Sequence, residues 1–121
     1  MVKSSFVVIF VYILILIEGA GAGVIIAGVT GSAGSWAYML SSPMALLFDQ
    51  YGNMYILDTG NNRIQRWRPG ATYGVTIVAA SMSTPRGLAM DSSGNLVTAE
   101  YGNHRVILFS AYCRKLNLFP H

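Results

Sequence analysis

Cysteine is nearly absent from this 121-residue sequence, where Cys113 stands alone. No intrachain disulfide can form, so the fold must be held without covalent cross-links. In an extracellular protein a lone thiol points either to an intermolecular bridge or to a C-terminus foreign to the fold. Charge is scarce as well: charged residues make up 11% of the chain, against about 25% in ordinary soluble domains. Eight Lys and Arg against five acids leave a net charge of +3. The basic residues are dispersed, without the clustering on one face that nucleic-acid recognition needs. Histidine is limited to His104 and His121. A zinc site takes three or four ligands, and His104 with Glu100 supplies a pair at most. A Gly-x-Ser-x-Gly elbow and a Ser/His/Asp set are both missing. The chain is therefore expected to hold no metal or cofactor and to perform no catalysis.

What is present begins with apolar residues. Lys3 and two serines precede an unbroken run from Phe6 to Ile17, ended by Glu18 and followed by Gly19-Ala20-Gly21-Ala22-Gly23. A positive start, a short apolar core and small residues of the A-x-A kind are the parts of a secretory signal peptide. Twelve residues of helix would cover about 18 Å, short of the ~30 Å hydrocarbon core. Residues 1–22 are accordingly read as a hydrophobic N-terminal helix serving as signal peptide, with a signal anchor as the alternative. Either reading makes the protein secreted or membrane-anchored.

The remainder repeats itself. At an offset of 42, Pro43–Trp67 lies on Pro85–Phe109 without a gap, and eight of 25 positions are identical. They are Pro43/Pro85, Leu46/Leu88, Asp49/Asp91, Gly52/Gly94, Asn53/Asn95, Gly60/Gly102, Asn61/Asn103 and Arg63/Arg105. Each unit reads as short strands broken by turns. Ala45–Phe48 ends at Asp49-Gln50-Tyr51-Gly52-Asn53, and Met54–Leu57 ends at Asp58-Thr59-Gly60-Asn61. Glycine supplies positive φ there, while Asp and Asn side chains bond the nearby backbone. Arg63–Trp67 stops at Pro69-Gly70, and Val75–Ala79 completes the unit. Four antiparallel strands in about 42 residues is the size of a propeller blade. Upstream, Gly23–Ala27 is similar to Val75–Ala79 and predicts the last strand of a preceding blade. The loop after it, Val29–Ser42, is ten residues longer than its counterpart.

The pattern P-x-x-L-x-x-D-x-x-G-N-x-x-x-x-[DE]-x-G-N-x-R, carried by both copies, resembles the NHL repeat. Glu100-Tyr101 departs from the Asp58-Thr59 of the first copy, and a Glu can still accept the turn's hydrogen bonds. The resemblance implies an all-β protein, a partial β-propeller of four-stranded antiparallel NHL blades from a ring of about six. The divisions that follow are residues 23–42 (last strand and linker), 43–80 (a blade), 85–110 (an incomplete blade) and 111–121 (a non-repeat tail). Two blades alone would expose unpaired edges, so a partial gene product is expected, or several copies assembling into a ring.

The resemblance also implies a binding scaffold rather than an enzyme. The Asp-x-Gly-Asn-x-Arg motif (Asp58, Gly60, Asn61, Arg63; Glu100, Gly102, Asn103, Arg105) and the turn residues Asp49, Gly52, Asn53, Asp91, Gly94 and Asn95 are assigned to building each blade. Loops joining fourth to first and second to third strands share one face, which would carry Met44, Thr59, Asn62, Arg86, Tyr101 and His104. Gln50, Tyr51, Ser92 and Ser93 fall on the opposite face. Arg66-Trp67-Arg68 reads as a solvated edge. The expected partner is a protein, with a glycan as the other candidate ligand; nucleic acid is disfavoured, and membrane contact is confined to the N-terminal segment. The alternatives are an intracellular adaptor of the ubiquitin-ligase type able to bind RNA, and part of a propeller hydrolase or lyase.

Overall fold

The computed structural model describes residues 23–112. The expected N-terminal helix, and the tail beyond Tyr112, lie outside these residues. Among the described residues no helix is long and apolar enough to cross a membrane.

The fold is all-β. Among the described residues, seven strands form two antiparallel sheets. The first contains β1 (Pro43–Phe48), β2 (Met54–Asp58), β3 (Arg63–Trp67) and β4 (Val75–Ala79), hydrogen-bonded in sequence order. The second contains β5 (Pro85–Met90), β6 (Leu96–Glu100) and β7 (Arg105–Phe109). Between β2 and β3, and between β6 and β7, the chain turns through short 3-10 segments, Thr59–Asn61 and Tyr101–Asn103. The first strand starts two residues before the Ala45 of the sequence pattern, because Pro43 pairs with Asp58 across a bulge. The bulge recurs between Pro85 and Gly87. Proline is tolerated at the first position of a strand.

The pleat decides what packs where. Alternate residues point to opposite faces, so Ala45, Leu47, Tyr55, Leu57 and Ile64 share one face of the first sheet. That face packs on Leu88, Met90, Leu96, Ile107 and Phe109 of the second, with Val78 and Met82 at the seam. Leu57, Ile64, Val78 and Leu96 have no exposed surface. Burying each such side chain is worth about 1.5–3 kcal/mol. Met54, Ile56 and Trp67, on the other face of the first sheet, are covered by Ala27, Leu40 and Ala71.

Two expectations need correction. Gly23–Ala27 forms no strand: Val24, Ile25 and Ile26 are exposed, and the only pairing nearby is an isolated bridge between Val29 and Ser32. A strand needs a neighbour to take its backbone hydrogen bonds, and no described strand lies alongside this segment. Trp67 is not part of a solvated edge. It is 3% exposed, and its indole N–H donates to Gln65 Oε1 at 2.9 Å. The long linker ahead of β1 covers this face, and period-two alternation alone cannot reveal such a cover.

Candidate functional site

The repeated motif builds two kinds of turn. In the β1–β2 hairpin Asp49 accepts the N–H groups of Tyr51 and Asn53, both at 2.9 Å, and the Asn53 side-chain amide at 2.9 Å. The Tyr55 hydroxyl adds a fourth bond at 3.1 Å. Gly52 sits at φ 84, the left-handed region that glycine enters without cost. Asp91, Ser93, Asn95 and Gly94 reproduce this in the second sheet. Burial works to raise the Asp49 pKa, but the bonds from Asn53, Tyr51 and Tyr55 outweigh it and hold the carboxyl below its ordinary value. Asp91 is also lowered, chiefly by the Asn95 side chain and N–H.

The second turn is a clasp centred on a buried carboxylate. Asp58 accepts the Ser41 N–H at 2.7 Å, the Asn61 amide at 2.8 Å and Arg63 Nε at 2.7 Å. Glu100 accepts the Ser83 N–H at 2.6 Å, the Asn103 amide, and Arg105 Nε at 2.7 Å. The extra methylene of Glu thus reaches the same donors. Gly60 and Gly102 return the contact, donating to the Ser41 and Ser83 carbonyls at 2.8 and 2.9 Å. A Cβ on Gly60 would lie 2.6 Å from the Ser41 carbonyl oxygen, so no larger residue fits there without moving backbone. Asn62 and His104 close the turns in the left-handed region, at φ 49 and φ 53.

Ser41 and Ser83 were absent from the motif as read from sequence. The signal was available, because the 42-residue register continues upstream through Leu40/Met82, Ser41/Ser83 and Ser42/Thr84. Ser42 and Thr84 are left-handed too, at φ 47 and φ 48. For non-glycine residues this costs on the order of 1–3 kcal/mol each. The clasp offsets the strain by fixing the residue immediately before.

The two clasps differ in what lies outside them. Arg63 donates further to the carbonyls of Ser35, Trp36 and Met39, at 2.9, 3.1 and 2.8 Å, and is 9% exposed. Arg105 follows the short linker, meets no such loop among the described residues, and has a side chain 54% exposed.

The expected partner face divides in the same way. Thr59 turns inward, its hydroxyl donating to the Pro85 carbonyl at 2.7 Å and tying the sheets together. Met44, Asn62, Arg86, Tyr101 and His104 are exposed. Arg86 and Tyr101 come together, with the guanidinium 4.1 Å from the ring centroid. That is well inside the range of a cation–π contact. At the other end an open cleft of about 1110 Å³ lies between the hairpins, lined by residues that include Gln50, Tyr51, Arg66, Ser92 and Ser93.

Residues 82–109 match the family model of the NHL repeat. This segment is an NHL repeat. The match opens at Met82 and so takes in the Ser83 that donates to Glu100. Pro43–Trp67 carries the same motif in the same register, with the same turns and clasp. A search of curated proteins finds no match to the chain.

The NHL turns predict an acid-sensitive fold. Arg105 holds the Glu100 carboxyl below its ordinary value against the opposing effect of burial, with help from Ser83 and Asn103. Asp49, Asp91 and Glu100 therefore have folded pKa values below their unfolded ones, near 4. Their stabilisation is fully present above the unfolded pKa and is lost as pH falls through the folded values. A thermal melting series should be flat from about pH 7 to pH 5 and fall steeply below about pH 4. Asp91→Asn should flatten that fall; an unchanged acid limb would remove these carboxylates from the account.

Proposed function

We propose that this chain is a non-catalytic protein-interaction scaffold of the NHL propeller type, acting outside the cell or at its surface. The observation that carries the reading is the Arg86–Tyr101 stack. It is a preordered, exposed pair of two of the three residue types enriched in binding hot spots. Tyr101 is 63% exposed, and Arg86 lies immediately after the start of β5. Stacking restrains two side chains before any partner arrives, which lowers the ordering cost of binding. Arg105 and His104 stand nearby in sequence and are exposed, so a partner surface bearing carboxylates is the chemistry that fits.

The acidic residues support the non-catalytic part of the reading. The four acids among the described residues, Asp49, Asp58, Asp91 and Glu100, are all engaged in turns or clasps. None is left for general acid or base work at an open site. The extracellular placement rests on the apolar run Phe6–Ile17 and the small residues after it. It predicts an expressed protein whose intact mass begins near Gly23, or one that stays with membranes.

Proximity crosslinking in the native membrane or secreted fraction tests the partner face. The paired substitution Arg86→Ala and Tyr101→Ala should remove partners captured by the unsubstituted chain. The loss expected is on the order of 30-fold in affinity for each hot-spot side chain. A capture pattern that survives both changes but disappears with Tyr51→Ala would move the binding surface to the opposite end.

A further inference from the structure

We propose that copies of this chain join head to tail, with Gly23–Ala27 of one copy serving as the fourth strand of the second sheet of the next. The argument starts from the interface inside one copy. There, Tyr55, Leu57 and Ile64 of the first sheet pack against Leu88, Met90 and Leu96 of the second. The repeat register carries all of these but Leu96 to counterparts on the two outer faces; Leu96 corresponds to Met54, which Ala27 and Leu40 already cover. Tyr55, Leu57 and Ile64 become Val97, Ala99 and Val106. Leu88 and Met90 become Leu46 and Phe48.

Exposure follows the same division. Ile64 is wholly buried whereas Val106 is 70% exposed, and Leu46 and Phe48 are each 56% exposed. The two apolar faces left open are therefore the two halves of an interface the chain already forms once. One belongs to the first sheet and the other to the second, so they cannot meet within one copy without breaking the packing described above. Between copies they can. A contact of this heterologous kind builds a ring if the rotation closes.

Among the described residues, a sheet edge without a strand and a segment without a sheet complete the match. The first sheet has four strands and the second three; no described strand lies on the outer side of β7. Gly23-Val24-Ile25-Ile26-Ala27 is similar to the β4 sequence Val75-Thr76-Ile77-Val78-Ala79, yet forms no strand. Val24, Ile25 and Ile26 are exposed by 80, 66 and 61%. Ala27 and the linker residue Leu40 lie on the outer face of the first sheet. Met82, the counterpart of Leu40 at the offset of 42, lies against the core between the sheets in the corresponding way. A copy that donates Gly23–Ala27 to its neighbour's β7 thus brings its own first sheet onto that neighbour's open face. The β3–β4 pairing of Ile64 with Val78 fixes the register, placing Ile26 of one copy opposite Val106 of the next.

A disulfide trap tests this directly. Two differently tagged full-length chains, both carrying Cys113→Ser, are coexpressed and mildly oxidised, one with Ile26→Cys and the other with Val106→Cys. Directly paired strand positions lie within disulfide reach, so the mixed-tag dimer should be the main product. Ile26→Cys paired with Ser92→Cys, at the far hairpin, sets the background. Mixed-tag product no greater than that background overturns the proposal. Both positions are exposed in the single copy, and circular dichroism checks that each variant folds.

Native mass measurement gives a second arm. The unsubstituted chain should form multimers, whereas Val106→Asp and Ile26→Pro should each be monomeric. Their mixture should form a dimer and nothing larger, because only one intact junction remains. A monomeric unsubstituted chain also overturns the proposal. These readouts do not involve Arg86 or Tyr101, so failure here is separable from failure of the partner-face reading.

Discussion

Asp58→Ala is expected to remove about 3–5 kcal/mol of stability, the range seen when one member of a buried ion pair is deleted. Asp58 has no exposed surface and Arg63 is 9% exposed. Deleting the carboxylate leaves the guanidinium charge inside the protein with only carbonyl partners, and strips the Ser41 N–H and the Asn61 amide of an acceptor. Whole domains are stable by about 5–15 kcal/mol, so this loss is a large share of the total. Asp58→Asn keeps an acceptor oxygen and loses the charge, so it should fall between. Urea titration checks this: the midpoint should move to lower urea with an unchanged slope. A loss below about 1 kcal/mol would mean that the pair behaves like a surface salt bridge. The counterpart Glu100→Ala should cost less, because the Arg105 side chain is 54% exposed and water can solvate it.

Leu57→Ala should cost about 2–5 kcal/mol, the usual range for truncating a buried leucine. Leu57 is fully buried between the sheets and touches no solvent. Its loss removes apolar contact and leaves a cavity, which flat facing sheets fill poorly because backbone pairing fixes their positions. The same change at Leu46, one strand position from Leu47 on the opposite face and 56% exposed, should cost well under half as much in the isolated copy. Differential scanning calorimetry of the two variants distinguishes them. Equal losses would show that the face assignment is wrong.

The strands were legible because turn chemistry punctuates them. Asp49-x-x-Gly52-Asn53 and Asp58-x-Gly60-Asn61 state where the chain reverses, and their repetition at an offset of 42 removes ambiguity about register. What escaped the sequence has a common cause. The acceptors that surround Arg63 are the carbonyls of Ser35, Trp36 and Met39. A backbone carbonyl carries no residue-type signature, so the linker reads as a plain connection although it covers Trp67 and seals a guanidinium. Gly23–Ala27 shows the converse. Its residues have the pattern of a strand, but pairing depends on a neighbour that local sequence does not specify. Ser42 and Thr84 adopt a left-handed backbone that glycine would adopt more cheaply, and only the clasp around Ser41 and Ser83 explains why that geometry is held. On the partner face, exposure followed from topology. The inward turn of Thr59 did not, because it depends on where Pro85 of the next sheet presents its carbonyl.

The clasp also decides where the chain can be divided. The carboxylate of each unit reaches back 17 residues to an N–H that precedes the first strand, so the cooperative unit does not begin where the repeated motif begins. A piece cut at Pro85 would keep every strand of the second sheet and still lose the Ser83 N–H, the Ser83 carbonyl that accepts from Gly102 and the Thr84 carbonyl that accepts from Tyr101. Cutting upstream of Ser83 preserves all three. For anyone shuffling, grafting or circularly permuting these units, the boundaries to respect are the serines rather than the prolines.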